Sequence, residues 1–229
     1  MIKINGTTLQ FPDYILTDAG VIRTAKRRVS ENTTVYGANG DYVVYDEAYE
    51  SQDRTLKFSV STYEKIVYLT NLFNDNENEI EFDYLPNSKF HAELEEITYS
   101  KHGQYRWSVD IKLIFDPFRY SVDVGVTTLS KSGTINNLGD VFSEPIIEIE
   151  GNGEISLTIG KQTMALNLDT KARIDCRHRR QNIYDKNNNV KNSIRTKGGF
   201  FEIQPGLNGV STSGNVASVK IYGNWRWRI

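Results

Sequence analysis

The chain contains little cysteine, proline and histidine, and it has no long apolar run. Of its 229 residues, one is cysteine (Cys176), five are proline and three are histidine. A single thiol excludes an intramolecular disulfide and a metal site built from several cysteines, and it fits a protein made in a reducing cytoplasm. No apolar run approaches the roughly 18 residues of a membrane span. The N-terminal MIKINGTTLQF also lacks the apolar region of a signal peptide. We therefore expect a soluble protein with neither a leader nor an anchor.

The chain also lacks a strong charge of either sign. Lysine and arginine total 27 against 29 aspartate and glutamate, which gives a formal net charge of −2. Such a balance provides no overall electrostatic reason to bind nucleic acid or an anionic membrane. The length allows one large domain or two small ones, each with a core of its own.

Alternating apolar residues predict strands through the first half of the chain. The alternation covers 56–60, 80–84 and 90–94, and its longest run extends from Tyr105 to Phe115. Asp116-Pro117 ends that run, because proline cannot donate a hydrogen bond to a central ladder. Side chains that alternate in this way lie on opposite faces of a strand, so one face is buried and the other is wet.

One helix is predicted, and it starts near Ser61. Ser61 and Glu64 have the spacing of a capping box, and Ile66, Leu69 and Phe73 form an apolar stripe at helical intervals. The polar run 74–78 ends the helix. The first half is therefore predicted to be a β-sheet with one packed helix.

Two polar segments of the first half are candidates for a role at the surface. The segment from Ser30 to Tyr42 is rich in glycine and asparagine, which is typical of a long loop or an extended arm. The second segment is an acidic row on one predicted strand, formed by Glu77, Glu79, Glu81 and Asp83. Such a row usually makes a protein soluble or protects a sheet edge; the alternative is the lining of a pore that oligomeric symmetry repeats.

The stretch from Thr134 to Ile159 is predicted to start a second domain. Ile147 and Ile149 alternate with glutamates, Gly151-Asn152-Gly153 follows, and the alternation resumes at Ile155. A period of two on both sides of a glycine turn predicts a β-hairpin. Short strands separated by turn residues continue to the end, where the predicted strand alternates through Val219, Ile221, Trp225, Trp227 and Ile229. This pattern favours a β-sandwich.

Candidate catalytic and metal-binding groups have simpler structural explanations. Glu148 and Glu150 lie on the predicted wet face of a strand, whereas general-acid catalysis needs a carboxyl group in a pocket that raises its pKa. Cys176 precedes His178 by two residues, but no orienting third group or oxyanion loop is apparent, so a buried structural cysteine is the better interpretation. The run from Asp185 to Asn189 begins like a calcium loop, yet Val190 stands where glycine is needed. We interpret it as a turn.

Two further clusters suit binding less well than structure. Arg173, Arg177, Arg179 and Arg180 form a basic cluster, but Asp175 interrupts it and no aromatic side chains alternate with it. A charged strand face or a subunit interface is favoured over nucleic-acid binding. Trp225 and Trp227 have the chemistry of a sugar-stacking platform, although the face they share with Val219 and Ile221 favours core packing.

Several short motifs give the chain a resemblance to a known family. Asn137-Leu138-Gly139 is followed by Ser143-Glu144-Pro145-Ile146-Ile147, Ile149-x-Gly151-x-Gly153, Ile174-Asp175-Cys176, Tyr184, Gly199-Phe200-Phe201 and Pro205-Gly206-Leu207-Asn208. The first half adds the amphipathic helix from Ser61 and the exit Phe115-Asp116-Pro117-Phe118-x-Tyr120. In this order and spacing the motifs resemble the distal tail proteins, or Dit family, of long-tailed bacteriophages, over essentially the whole chain.

The resemblance implies a structural protein of the virion without catalytic or cofactor residues. It implies a mainly β chain with a ring-forming domain at 1–122 (a β-sheet with one packed helix), a linker at 123–137 and a galectin-like β-sandwich at 138–229. The expected assembly is a homohexamer at the distal tail tip, made in the host cytoplasm. Its expected partners are the tail-tube (major tail) protein, the tail-associated tip protein and receptor-binding or other baseplate proteins. We expect no membrane and no sequence-specific nucleic-acid binding, although DNA passes through the lumen of the ring.

Two site hypotheses follow from this expected assembly. Glu77, Glu79, Glu81 and Asp83 would line the lumen, where negative charge keeps DNA from adhering. The segment from Ser30 to Tyr42, with Asn32, Val35, Tyr36 and Tyr42, would be an arm that embraces the neighbouring subunit. The alternative function is a carbohydrate-binding β-sandwich for attachment to a host surface, with Trp225 and Tyr184 as the residues to test.

Overall fold

Alternating apolar residues build a mainly β protein with a single α-helix among the described residues, as predicted. The structure is a computed structural model that describes residues 1–37 and 39–228, without the side chain of Glu47. The predicted position of Ile229 on the terminal strand lies outside the described residues. The chain divides into two units, Met1–Tyr120 together with Arg228, and Ser121–Trp227. No helix among the described residues is long and apolar enough to cross a membrane.

The first unit consists of two antiparallel sheets and the helix. In chain order its elements are β1 (Ile2–Ile4), β2 (Thr7–Thr8), β3 (Tyr14–Asp18), β4 (Arg27–Thr34), β5 (Asp41–Tyr49), β6 (Gln52–Val60), α1 (Tyr63–Asn71), β7 (Asn78–Phe82), β8 (Ser88–His102), β9 (Arg106–Phe115) and β10 (Arg119–Ser121). The main sheet has the strand order β2-β1-β7-β8-β9-β6-β3, and β4 and β5 form a separate two-stranded sheet.

One face of the main sheet and the inner side of α1 enclose the core of the first unit. Leu56 of β6 lies opposite Ile111 of β9, and Phe58 lies opposite Val109, so these four side chains share a face. All four are buried. The helix contributes Ile66 and Leu69 to the same core, as their spacing predicted, and Phe73 joins the core from just beyond the end of the helix. The other face of the sheet is left polar.

The helix begins one residue later than predicted. Thr62 is the N-cap, and its Oγ1 accepts a hydrogen bond from the Lys65 backbone N at 3.4 Å. The Ser61 hydroxyl donates instead to Asp13 Oδ1 at 3.0 Å, and the Ser61 backbone N donates to the Asp13 carbonyl. The capping box from Ser61 to Glu64 was therefore wrong, because Ser61 ties the end of β6 to the segment before β3.

A buried asparagine side chain joins several segments of the first unit. Asn78 is fully buried, and its Oδ1 accepts hydrogen bonds from the Asn74 backbone N at 2.7 Å and from Asn5 Nδ2 at 2.9 Å. Its Nδ2 donates to the carbonyls of Asn74 at 2.8 Å and Ala92 at 3.2 Å. The amide thus forms the four bonds of which it is capable. It fixes the segment after α1 and the β1–β2 turn against β7 and β8.

The second unit is a β-sandwich built from one continuous network of antiparallel strands. Its elements are β11 (Val126–Leu129), β12 (Ser132–Asn137), β13 (Ile146–Ile159), β14 (Gln162–Leu168), β15 (Lys171–Asp175), β16 (Asn182–Tyr184), a short 3-10 helix (Asn192–Ile194), β17 (Arg195–Lys197), β18 (Gly206–Tyr222) and, outside that network, β19 (Arg226–Trp227). The main strand order is β11-β18-β13-β14-β17. β13 contributes five buried apolar side chains to the core, and β18 contributes four.

The predicted hairpin around Gly151-Asn152-Gly153 was wrong, because β13 is one continuous strand. Residues 146–150 pair with β15 and residues 153–159 pair with β14, while β18 pairs along the other edge with register shifts near Gly151. A Cβ at Gly151 would lie 2.5 Å from the Asn215 carbonyl oxygen, and Gly153 has a φ of +75°. The two glycines form a β-bulge, at which the strand bends and changes its partner.

The predicted linker also differs from the structure. Within 123–137, β11 and β12 both pair with β18, so this segment is part of the sheet of the second unit. The prediction failed because these strands are short and polar. Buried side chains from this segment include only Ile135 and Asn137 among the described residues.

A second buried asparagine closes one end of the second unit. Asn137 Nδ2 donates to the carbonyls of Val141 at 3.0 Å and Ile203 at 2.8 Å, and its Oδ1 accepts from the Gly139 backbone N at 2.8 Å. Gly139 itself packs so closely that a Cβ would overlap the carbonyl oxygen of Arg226. The Asn-Leu-Gly motif is therefore structural.

Replacing Asn78 should lower stability strongly. Asn78→Ala leaves buried backbone groups without partners, and we expect a loss of about 2–4 kcal/mol in the free energy of unfolding, measured by urea denaturation. The control Asn76→Ala changes an exposed side chain in the same segment and should shift the free energy by less than about 0.5 kcal/mol. Equal effects of the two substitutions would contradict the role of Asn78.

Adding one methyl group at Gly139 should also destabilise the protein. Gly139→Ala drives a Cβ into the Arg226 carbonyl, and forced displacement of this kind costs about 1–3 kcal/mol. Gly199→Ala is the matched control, because no atom lies within 4 Å of the added Cβ and its φ is not positive. Thermal denaturation compares the two variants, and Gly139→Ala should melt at the lower temperature. A Gly139→Ala protein as stable as Gly199→Ala would refute the close approach.

Candidate assembly surfaces

The predicted arm is a two-stranded β-hairpin with open edges. β4 and β5 pair from Arg27 opposite Tyr49 to Thr34 opposite Asp41, and neither pairs with another strand of the described chain. Every residue of β4 is exposed. Among the predicted site residues, Asn32 lies on β4, Tyr42 on β5, and Val35 and Tyr36 in the connection between them.

The arm is anchored to the first unit at its base. The Tyr49 ring meets the Phe118 ring edge to face at a centroid distance of 5.2 Å. The Glu50 backbone N donates to the Lys26 carbonyl at 2.9 Å, and Gln52 Nε2 donates to the Arg23 carbonyl at 3.1 Å. The ladder between β4 and β5 and surface ion pairs such as Arg28 with Asp46 hold the rest of the hairpin.

Apolar and aromatic side chains of the arm are exposed to an unusual degree. Val29, Val35, Tyr36, Tyr42 and Tyr45 are all exposed, and Tyr36 has no cover at all. An isolated two-stranded hairpin is marginally stable in water, and a contiguous exposed apolar surface is typical of an interaction site. The arm thus has the features of a segment that a partner completes.

The predicted acidic row lies on the polar side of the main sheet, but it is not a surface of uncompensated negative charge. Glu79 Oε1 lies 2.6 Å from Lys89 Nζ, and Glu81 Oε1 lies 2.8 Å from Lys3 Nζ. Asp83 pairs with the amino group of Met1. Each of these three carboxylates has a cationic partner.

Glu77 has a different neighbour. Its Oε1 lies 3.4 Å from His91 Nδ1, a contact that is an ion pair only when the imidazole is protonated. The structure places Glu79 and Glu81 on β7, Glu77 just before it and Asp83 just after it. The strand thus carries two of the four predicted residues, and sequence periodicity did not predict the partners from β1 and β8.

The rest of the polar face also carries both signs of charge. Glu96 of β8 lies opposite Lys112 of β9, with Oε2 and Nζ 2.6 Å apart. Lys57 of β6 lies opposite Asp110 of β9. The face is therefore hydrophilic and carries several ion pairs. Because their charges balance, it does not strongly attract charged polymers such as nucleic acids.

An exposed aromatic cluster was not predicted from the sequence. Tyr63 of α1 lies 6.1 Å from Tyr99 and 5.9 Å from Trp107, measured between ring centroids, and the last two rings are 6.2 Å apart. The nearby Tyr99 hydroxyl raises the pKa of Tyr63. The sequence contained one signal for this cluster, namely that Tyr63 and Val67 place apolar side chains on the outer face of an amphipathic helix. The rings are inclined to one another, so they do not form a flat stacking platform.

The second unit separates structural residues from surface residues. Trp225 is 4% exposed and belongs to the core, as predicted, but it lies between β18 and β19, so the single terminal strand predicted through Trp227 was wrong. Cys176 is buried, and burial raises the pKa of its thiol to about 12, so the cysteine is structural. Asp185 Oδ1 accepts hydrogen bonds from the backbone N atoms of Asn187 and Asn189, which is the geometry of a turn.

The basic cluster is spread over several environments. Arg173 stacks on the Tyr184 ring, with its guanidinium carbon 5.4 Å from the centroid. Arg177 forms a two-point pair with the buried carboxylate of Asp175, at 3.0 and 2.7 Å. Arg179 and Arg180 lie exposed in the following loop. Glu148, one of the two glutamates considered for acid catalysis, forms an ion pair with Lys171 at 3.0 Å.

The sequence matches no family model and no curated protein. The fold, in contrast, is similar to the crystal structure of the Dit protein (gp 19.1) of SPP1, which is described as a paradigm of the hub adsorption apparatus in phages that infect Gram-positive bacteria. The similarity covers 96% of each chain with a TM-score of 0.69, at 13% sequence identity. The fold that the sequence motifs implied is thereby confirmed: over nearly its whole length, this chain has the fold of the SPP1 Dit protein.

Proposed function

We propose that this protein is the hub at the distal end of a bacteriophage tail. In this role it is a structural protein of the virion that joins the tail tube to the tail-tip protein and to the receptor-binding apparatus, and DNA passes through its lumen. The observation that carries the proposal is the fold similarity to a described hub protein over 96% of both chains. Both units take part in that similarity, so it is more than a shared sandwich or a shared sheet.

The first unit is proposed to form a homohexameric ring. A closed ring needs a heterologous interface, in which one surface of a subunit meets a different surface of the next. The arm supplies the first of these surfaces, with Asn32, Val35, Tyr36 and Tyr42 available for contact. Burial of the exposed tyrosines and valines of the arm would stabilise that contact, because aromatic residues contribute strongly to the free energy of binding at interfaces.

The polar face of the main sheet is proposed to line the lumen, with Glu77, Glu79, Glu81 and Asp83 among its residues. Its ion pairs refine the electrostatic argument. Lys3 and Lys89 offset the charge of Glu81 and Glu79, so the face would repel DNA weakly and would mainly avoid binding it. A passage for a moving polyanion needs low affinity more than strong repulsion.

The second unit is proposed as the outward platform for tip, receptor-binding or other baseplate proteins. The alternative, a carbohydrate-binding module, receives no support from Trp225, whose ring is buried in the core. Tyr184 is also engaged, since Arg173 stacks on it. Adhesion is therefore assigned to another component of the virion, and no catalytic role is proposed.

The solution mass of the purified protein tests the ring. We expect a particle of six subunits of 26.2 kDa each, measured by light scattering after size exclusion, in the presence of the tip protein if the ring needs it. The double substitution Tyr36→Ser with Tyr42→Ser should give monomers, because it removes the aromatic surface of the arm while leaving the core of the first unit intact.

The matched control for the arm is Tyr105→Ser, which removes an exposed tyrosine from the turn between β8 and β9. It should leave the oligomer unchanged. Circular dichroism should show folded protein for both variants. A hexamer that persists in the Tyr36/Tyr42 variant would show that the arm is not the interface. The hub function is tested separately, by whether the wild-type protein has the mass of six subunits.

Charge substitutions test the lumen in assembled virions. Glu79→Lys with Glu81→Lys turns a neutral pair of contacts into a positive patch, so DNA should leave several-fold more slowly, measured with a DNA-binding dye during triggered ejection. The compensated control adds Lys3→Glu and Lys89→Glu, which restores both pairs with reversed polarity and should restore the rate. Equal ejection rates for all three virions would exclude this face from the lumen.

A further inference from the structure

Four asparagines of the chain are each followed directly by a glycine, and this pair is the one that favours deamidation. In that reaction the backbone nitrogen of the second residue attacks the side-chain amide carbon of the asparagine. Glycine permits the approach because it has no Cβ and few conformational limits. The asparagine side chain must also be free to rotate toward that nitrogen. The four pairs are Asn5-Gly6, Asn39-Gly40, Asn152-Gly153 and Asn208-Gly209.

Hydrogen bonds hold the side chains of three of these asparagines. Asn5 forms three side-chain hydrogen bonds of between 2.7 and 2.9 Å. Asn152 Nδ2 donates to the Asp169 carbonyl at 2.6 Å, and Asn208 Nδ2 donates to two backbone carbonyls at 2.7 and 2.9 Å. The last two asparagines also lie within the paired strands β13 and β18. Rotation of any of the three side chains must first break these bonds.

Asn39, near the tip of the arm, is held by none of these restraints. Both Asn39 and Gly40 are exposed, and the Asn39 side chain forms no hydrogen bond with the described part of the chain. The ladder between β4 and β5 ends at the pair of Thr34 with Asp41, so Gly40 lies beyond it. Gly40 has a φ of +90°, and no atom lies within 4 Å of the place where a Cβ would stand. The approach to this glycine is therefore open.

We infer that Asn39 is a site of spontaneous modification, at which the chain converts its own amide into a carboxylate. The Gly40 nitrogen loses its proton to a base in the solvent and forms a bond to Cγ of Asn39. The bond from Cγ to Nδ2 breaks, and ammonia leaves with a proton from the solvent. Water then opens the five-membered imide. Cleavage at Cγ gives aspartate, and cleavage at the backbone carbonyl carbon gives isoaspartate.

Both products change the tip of the arm. Each adds a negative charge two residues before Asp41, and charge introduced into an apolar contact opposes it. Isoaspartate also inserts one more carbon into the backbone next to the Thr34–Asp41 pair, whose Thr34 Oγ1 donates to Asp41 Oδ1 at 2.8 Å. If the arm is the ring interface, as proposed above, chains that stay unassembled lose their ability to enter the ring. The modification itself rests on the arm alone.

Peptide mass spectrometry tests the modification. The full chain is incubated at mildly alkaline pH and sampled over time, and the mass gain from exchange of NH2 for OH is located by fragmentation. Asn39 should be converted about tenfold faster than Asn5, Asn152 or Asn208, because their hydrogen bonds must first break. Asn39→Gln is the matched variant, since its longer side chain would have to close a larger ring, and it should show no gain at this position. Conversion of Asn39 at the rate of the other three asparagines would overturn the inference.

The consequence for assembly is measured separately by light scattering. Aged wild-type protein should contain about twofold less hexamer than fresh protein, whereas Asn39→Gln aged for the same time should lose none. An equal loss in both proteins would reject Asn39 as the cause. Fresh wild-type protein that lacks the mass of six subunits would contradict the proposed ring, while the peptide measurement would still decide the modification.

Discussion

Each unit of this protein depends on one buried asparagine that completes backbone hydrogen bonds where sheet pairing ends. Asn78 supplies both donors and acceptors to Asn74, Asn5 and Ala92, and Asn137 does the same for Val141, Ile203 and Gly139. An asparagine amide in such a position satisfies its partners in one arrangement only, since a shift of one residue moves it to the other face of the strand. These two side chains therefore fix the register of their strands. The apolar residues alone would tolerate a shift of the pairing by two residues, because such a shift keeps them on the same face.

Sequence periodicity predicted the elements in which one face is buried and the other is wet. The strands containing Phe58, Ile80 and Ile111, and the helix with Ile66 and Leu69, follow from it directly. Periodicity failed to predict polar segments that nevertheless pair into a sheet, such as β11 and β12. It also failed where glycine bends a strand without reversing its direction, as at Gly151. Local pattern cannot separate a bulge from a turn, because the distinction depends on whether β18 is present along the other edge.

The candidate surfaces were predictable to the same degree. The polar, glycine-rich composition of 30–42 indicated an arm, and alternation placed the acidic row on one face. The partners Lys3 and Lys89 and the aromatic cluster around Tyr63 come from other parts of the chain.

Several residues of the motifs that resemble the family have fixed geometric roles in this fold. Asn137 and Gly139 are fixed by hydrogen bonds and by the close approach of Arg226, and Ser143 forms an isolated bridge with Ile203. Such positions admit one residue type for geometric reasons, whereas core positions accept several apolar residues of similar volume.

The exposed arm has a consequence for the chain on its own. Two open strand edges with valine and tyrosine side chains are a template for uncontrolled strand addition, which leads to aggregates. The arm carries charges along both strands, including Arg27, Arg28, Glu31, Asp41 and Asp46, and the contact between Arg28 and Asp46 fixes two of them. These residues act as gatekeepers: they oppose random pairing of arms while leaving the aromatic tip accessible. The same hairpin thus exposes apolar side chains at its tip and carries charged side chains along its two strands.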